Sequence, residues 1–274
     1  MLSEKVTAYF RRRLASNPAP EPVAFQGDFR LWSEAASASH GYDAPVILER
    51  TCAALLRVKR GEAVYERDSV LFDKPEYPFP VLAGLLRAAL ADEGRLGVAD
   101  FGGSLGSSYF QCRRLLRGAT TVEWSVVEQP TYVRCGRDRF ADTELRFYET
   151  VEECIAERRP NVLLLSGVLQ YLGDPYAALE RLLSHRFPHV IIDRMPFLES
   201  DRNRLTIQTV PEWIYPASYP AWFFSETAIT NALTTGGYSL VSDFPGADDV
   251  SLPDARPYFK GFIYEYGSAG QPSL

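Results

Sequence analysis

A chain of 274 residues is long enough for one large domain or for a medium domain with an extension. Its 29 basic and 35 acidic residues leave a net charge of −6, which argues against nucleic-acid binding by general electrostatics. There is no run of about 18 apolar residues to span a bilayer, and the start, Met1 to Val6, has no signal-peptide core. Cys52, Cys112, Cys135 and Cys154 form no C-x-x-C pair and have no histidine cluster beside them, so neither zinc nor a disulfide framework is expected. Free thiols fit a reducing compartment, and the protein reads as cytoplasmic.

Residues 3–15 pattern as an amphipathic helix, and Asn17-Pro18-Ala19-Pro20-Glu21-Pro22 is a stiff connector that cannot continue it. Asp43-Ala44-Pro45 opens a helix with Leu48, Cys52 and Leu55 on one face and Gly61 as its stop. An aromatic-rich stretch containing Tyr65-Glu66-Arg67-Asp68 follows, then a helix over 81–92. Residues 1–93 therefore read as a mainly helical N-terminal extension or cap, with no sheet of its own.

From residue 94 strands and helices alternate. Strand cores at 96–101, 122–127, 145–149, 161–166 and 188–193 are followed by helices at 104–117, 129–139, 151–158 and 174–185. Asp174-Pro175 is a strong helix start, an N-cap followed by proline at N1. The alternation predicts a doubly wound, mostly parallel α/β sheet. A long aromatic segment, 198–224, interrupts it. Ser225 opens one more helix, closed by Gly236-Gly237, and strands 238–244 and 258–265 read as an antiparallel pair. Residues 94–274 are thus one domain carrying an aromatic insertion at 198–224.

The chemistry concentrates after the first of these strands, in Asp100-Phe101-Gly102-Gly103-Ser104-Leu105-Gly106. A strand, a glycine turn and a helix N-terminus let backbone approach a ligand closely. About 22 residues beyond Gly106 the second strand ends in Glu128, an acid placed to accept both hydroxyls of a ribose. The glycine spacing is wrong for the dinucleotide fingerprint G-x-G-x-x-G. A carboxylate at Asp100 would repel a pyrophosphate but suits a ligand bearing an ammonium or sulfonium.

Asp100, Gly102 and Gly106 match the pattern D/E-x-G-x-x-x-G, and the stretch resembles motif I of the class I S-adenosylmethionine (SAM) dependent methyltransferases. The end of the fourth strand, Ser166-Gly167-Val168-Leu169-Gln170-Tyr171-Leu172-Gly173-Asp174-Pro175, resembles their motif IV. It is also similar to a narrower group of bacterial methyltransferase-like proteins often found among cell-surface polysaccharide genes. That group shares Ser39-His40-Gly41-Tyr42-Asp43, Glu66-Arg67-Asp68, Ile192 to Phe197 and Trp222 to Glu226. The resemblance covers about 94–266 and implies a Rossmann-like, seven-stranded methyltransferase sheet with SAM as cofactor.

On that reading the cofactor contacts fall on Asp100, Phe101, Gly102, Gly103, Ser104, Gly106, Glu128, Gln129, Ser166, Gly167 and Leu169. Strand three ends Phe147-Tyr148, and because neighbouring residues point oppositely only one of them can reach the cofactor; Tyr148 is the candidate and the choice stays open. His40 and Asp193 are the candidate bases if the acceptor is a hydroxyl. Tyr42, Arg67, Tyr171, Arg194 and Trp222 are candidate acceptor contacts, although acids flank both arginines and the aromatics could equally pack a lid. The expected reaction is methylation, at oxygen, of a small molecule or glycan intermediate. A second copy of the chain is the protein partner considered, and nucleic acid and metal are not expected. The competing readings are a nicotinamide-dependent oxidoreductase or epimerase, and a non-catalytic protein on the same fold. The acceptor pocket should be built jointly by the extension and the 198–224 segment, over the carboxyl edge of the sheet.

Overall fold

A computed structural model describes residues 23–39, 45–118, 121–215, 217–248 and 250–267. The centre is a parallel sheet of β4 (Arg95–Phe101), β5 (Thr121–Val127), β6 (Leu145–Tyr148), β7 (Val162–Ser166) and β8 (His189–Leu198). These strands lie side by side in the order β6-β5-β4-β7-β8. They are apolar on both faces, as parallel strands covered by helices must be; Val162 to Leu165 are all buried. β12 (Tyr258–Tyr266) runs antiparallel along the full free edge of β8, and β11 (Tyr238–Pro245) pairs antiparallel with β12. This doubly wound, mostly parallel α/β sheet closed by a C-terminal antiparallel pair is the arrangement expected from the sequence.

Helices cover both faces. On one lie α2 (Pro45–Lys59), α3 (Phe79–Ala91), α4 (Ser107–Leu116) and α5 (Pro130–Arg139), which bury Leu55, Leu85, Tyr109 and Val133 against β4 and β5. On the other lie α6 (Val151–Arg158), α7 (Pro175–Ser184) and α8 (Glu226–Thr235), with Cys154, Leu179 and Leu233 against β7 and β8. The expected cap of α7 is present: the Asp174 carboxylate accepts from the Ala177 N–H at 3.0 Å. Cys135 on α5 meets Cys52 on α2, both as free thiols, at 3.5 Å between sulfurs.

The regions flanking this sheet depart from expectation. The 198–224 segment is two strands, β9 (Arg204–Val210) and β10 (Ala217–Ser225), paired antiparallel. Residues 23–93 carry helices α1 (Trp32–Ser37), α2 and α3, but also strands: β1 (Ala24–Phe29) pairs with β9, and β2 (Tyr65–Arg67) forms a hairpin with β3 (Val70–Phe72). The reading of this segment without strands is corrected. β1 cannot form a sheet alone, and it reads as a strand only with β9 beside it. β7 pairs with β8 over 189–193, and β10 joins β8 at Phe197 and Leu198. Because β12 fills the opposite edge of β8, β10 lies on the β7 side, beyond the carboxyl end of β7. The β1-β9-β10 layer therefore roofs the crevice at that end.

Candidate functional site

Strand order reverses between β4 and β7, and open α/β sheets bind ligands outside the carboxyl ends at such a point. The glycine loop lies there. Gly102 has φ +72, and a Cβ on it would fall 2.2 Å from a Val168 methyl carbon, so only glycine fits beneath the β7 loop. A Cβ on Gly103 would fall 2.4 Å from the Asp100 carboxyl carbon. Asp100 is 1% exposed and accepts from the Trp124 indole N–H at 2.9 Å. Its carboxyl is turned beneath the loop, where burial pushes its pKa up to about 7. Asp100 therefore braces the loop from below, which differs from the ligand-facing role expected of it. Gly106 caps α4, and its α-carbon faces Leu145, so it serves close packing between helix and strand. Phe101 packs partly into the β7–β8 core, and Ser104 takes a left-handed φ of +55.

Glu128 is tied to this loop. Its carboxylate accepts from the Gln129 N–H at 2.6 Å; burial pushes its pKa up to about 7, against the pull of the Gln129 and Ser104 backbone. Gln129 is exposed at the start of α5. Strand three resolves differently from expectation. Phe147 packs on Gly136 of α5, and Tyr148 enters the opposite core with Val127 and Val151. β6 is covered on both faces, so both directions are interior and neither ring is left for a ligand; the Tyr148 assignment is corrected.

At the end of β7, the Ser166 hydroxyl donates to Asp193 Oδ2 at 3.3 Å, and the Gly167 N–H donates to the Asp193 carbonyl at 2.9 Å. Burial pushes the Asp193 carboxyl up, against the pull of Arg194. Leu169 is 2% exposed inside the core, which corrects its placement against a ligand. Val168, not singled out in the sequence, takes the rim position over Gly102.

The roof closes from two sides. The β2–β3 hairpin turns through Asp68 and Ser69, both with positive φ. Glu66 is 2% exposed and accepts from the Ser69 N–H at 3.0 Å and from the hydroxyl of Ser107, the first residue of α4. Burial pushes Glu66 up to about 7. Arg194, itself at φ +56, pairs with Asp68 at 2.8 Å and Asp248 at 3.3 Å. The Arg194 guanidinium holds the Asp68 carboxyl below its ordinary range. Arg194 is thus a bridge between hairpin, β8 and the β11–β12 loop, with two carboxylates already on it. Arg67 is half-buried beside the Tyr65 ring.

Under β9 and β10, the Tyr171 hydroxyl donates to Gln208 Oε1 at 3.0 Å, and its ring meets Tyr219 edge-on. The Tyr215 and Tyr219 hydroxyls stand 3.5 Å apart. Trp222 lies on the opposite face of β10 from Tyr219, stacked on Trp32 with its N–H bonded to the Leu172 carbonyl. That pins it to α1 and corrects its expected place in the pocket. His40 and Tyr42 lie outside the described residues. A cleft of about 330 Å³ lined by Asp92, Arg95, Asn161 and His189 opens at the amino edge of the sheet, away from all of these groups.

Glu66 and Gln208 carried the weakest sequence signals. Glu66 was read only as an acid flanking Arg67. The alternation Tyr65–Glu66–Arg67 about an Asp-Ser turn was the available clue to a hairpin with Glu66 on its buried side.

No family model matches the chain, and no curated protein matches it. Among solved structures, the chain is similar to a SAM-dependent methyltransferase from Clostridium acetobutylicum at 9% identity, covering 68% of this chain and 91% of that one, with a TM-score of 0.43. It is similar to human N-acetylserotonin methyltransferase in complex with SAM at 16% identity, covering 68% of this chain and 52% of that one, with a TM-score of 0.43. It is similar to magnesium protoporphyrin IX methyltransferase from Synechocystis with bound SAM at 12% identity, covering 83% of this chain and 100% of that one, with a TM-score of 0.44. At this level of likeness the fold assignment rests on strand order and register in the chain itself.

Proposed function

We propose that the chain is a SAM-dependent methyltransferase. The observation that carries this reading is the pairing of glycine loop and strand-end acid at the carboxyl edge of the sheet: the Gly102 N–H donates to the Val127 carbonyl at 2.9 Å, which sets the loop beside Glu128. The residues fit the cofactor. Gly102 and Gly103 let the loop pack tightly on Val168 and Asp100 at the carboxyl edge of the sheet, and Glu128 has acceptor capacity for both ribose hydroxyls. When bound, SAM supplies a methyl group activated by a sulfonium. The chain itself has to hold the acceptor against that methyl and exclude water, which supplies most of the acceleration in a reaction of this type. A dinucleotide is disfavoured, because Glu66 already fills the α4 N-terminus where a pyrophosphate would sit.

The acceptor is proposed to be a small molecule or sugar whose hydroxyl is methylated. Support comes from the roof, which presents the phenols of Tyr171, Tyr215 and Tyr219 and the amide of Gln208. Asp193 would take the hydroxyl proton; His40 is the other candidate base. The crevice holds Glu66, Asp68, Asp193 and Asp248 around Arg194, which favours a neutral or cationic acceptor over a phosphorylated one. The test is thermal unfolding of the full chain with S-adenosylhomocysteine and, in parallel, NADH. Saturation at about 100 times Kd stabilises by about 2.7 kcal/mol, a rise of roughly 5 °C for a protein of this size. A rise with NADH and none with S-adenosylhomocysteine would overturn the reading.

A further inference from the structure

We propose that Glu66, delivered by the β2–β3 hairpin from outside the parallel sheet, is the ammonium-binding residue of the cofactor site and receives the α-amino group at the methionyl end of SAM. This rests on the proposed methyltransferase reading. A ligand that is cationic at this end needs a carboxylate at the glycine loop. Asp100, the acid within the motif, is turned beneath the loop against Trp124 and Gly103. Glu66 is the acid held at the start of α4, bonded to Ser107 immediately after Gly106.

Three observations fit a cation there. First, the helix N-terminus ordinarily attracts an anion, and here the protein supplies its own, leaving negative charge for the ligand to meet. Second, an ionised carboxylate has about four acceptor sites, and the Ser69 N–H and the Ser107 hydroxyl fill two. Third, Asp68 and Asp248 both hold Arg194, whereas among the described residues no lysine or arginine hydrogen-bonds to Glu66. A carboxyl 2% exposed, with no cation bonded to it and only the more distant pull of Arg194, is costly to ionise, and its raised pKa is the physical sign of that. An arriving ammonium would remove the penalty. The same contact would fix the hairpin, and with it Asp68 and Arg194, over the crevice once the cofactor is bound.

Calorimetry on the full chain tests this with S-adenosylhomocysteine, the same molecule lacking its α-amino group, and 5′-methylthioadenosine, which lacks the whole amino-acid end. Wild type should bind S-adenosylhomocysteine about tenfold or more tighter than the deaminated compound, the scale of a hydrogen bond to a charged group. Glu66→Gln should weaken S-adenosylhomocysteine by a similar factor and leave 5′-methylthioadenosine within about twofold. Equal wild-type affinity for the amino and deaminated ligands overturns the inference, and needs no variant to fold. So does a Glu66→Gln variant that weakens both S-adenosylhomocysteine and 5′-methylthioadenosine alike, or one that loses turnover with its S-adenosylhomocysteine affinity intact. If wild type binds none of the three ligands, the methyltransferase reading fails, and this inference with it.

Discussion

The parallel sheet and the roof above it are held together by different forces. Val98, Val162, Leu163, Leu164 and Ile191 are completely buried, and each fully buried aliphatic side chain of this size contributes about 1.5–3 kcal/mol. The roof has buried residues of its own, such as Leu205 and Phe223, but much of what ties it to the rest of the chain is polar. Arg194 reaches Asp68 and Asp248, Arg204 reaches Asp254, Arg50 reaches the Ile214 carbonyl, and Tyr171 reaches Gln208. Exposed ion pairs contribute about 0–1 kcal/mol each. The lesson is a division of labour. The base is held by apolar burial, while the roof is tied on largely by polar contacts. On the proposed reading, the base holds the adenosine of the cofactor, the roof hairpin meets its amino-acid end through Glu66, and the rest of the roof chooses the acceptor.

The comparison breaks most sharply at Gly102. Gly102→Val forces a branched side chain into a left-handed backbone position and onto Val168. Backbone strain and overpacking each cost about 1–3 kcal/mol, so denaturant unfolding should show a loss of about 3 kcal/mol, with S-adenosylhomocysteine binding abolished. A variant of wild-type stability and affinity would mean that the loop is neither tightly packed nor the cofactor site.

A smaller and more selective effect is expected in the roof. Arg194→Met removes the cation shared by Asp68 and Asp248 and should cost about 1–3 kcal/mol. The acceptor KM should rise while the Kd for 5′-methylthioadenosine, which has no amino-acid end for the hairpin to meet, stays within about twofold. An equal loss in both constants would show that base and roof are a single unit, and the division of labour would fall.

How far each region could be read from sequence follows the same line. Val162 to Leu165 fall in an apolar run, and Asp174-Pro175 caps a helix by local rules, so the parallel strands and α7 were legible within a residue or two, except that β8 runs on to Leu198, five residues past its expected end. Gly102 and Glu128 were legible because a motif and a strand end are local too. β1 was not, since Ala24–Phe29 becomes a strand only beside β9, about 180 residues later in the chain. Tyr148 was misread because alternation says which residues oppose one another, not whether both faces are covered. Leu169 and Trp222 were misread for a related reason: aromatic and apolar residues near a crevice line it or support it with the same composition. Glu66 needed the hairpin to fold before its position on α4 existed.

The finest test concerns the charge of Glu128. Its pKa in the folded chain is about 7, above the ordinary 4.5, because burial disfavours the ionised form. The stability cost of that burial is therefore absent below about pH 4.5, grows between there and 7, and is complete above. Glu128→Gln should unfold with the same midpoint as wild type at pH 4 and be the more stable of the two at pH 8. Ligand binding runs the other way, since ribose hydroxyls donate to the ionised carboxylate. The suitable probe is 5′-methylthioadenosine, which carries the ribose but no amino-acid end for Glu66 to meet. Wild-type affinity should rise about tenfold between pH 6 and pH 8, following the ionised fraction of a group titrating near 7. Asp100 and Glu66 titrate in the same range, and Glu128→Gln keeps both, so it isolates the contribution of Glu128. That variant should bind weakly and with no pH slope. A slope surviving in Glu128→Gln would assign the titration to Asp100 or Glu66 and take the ribose away from Glu128.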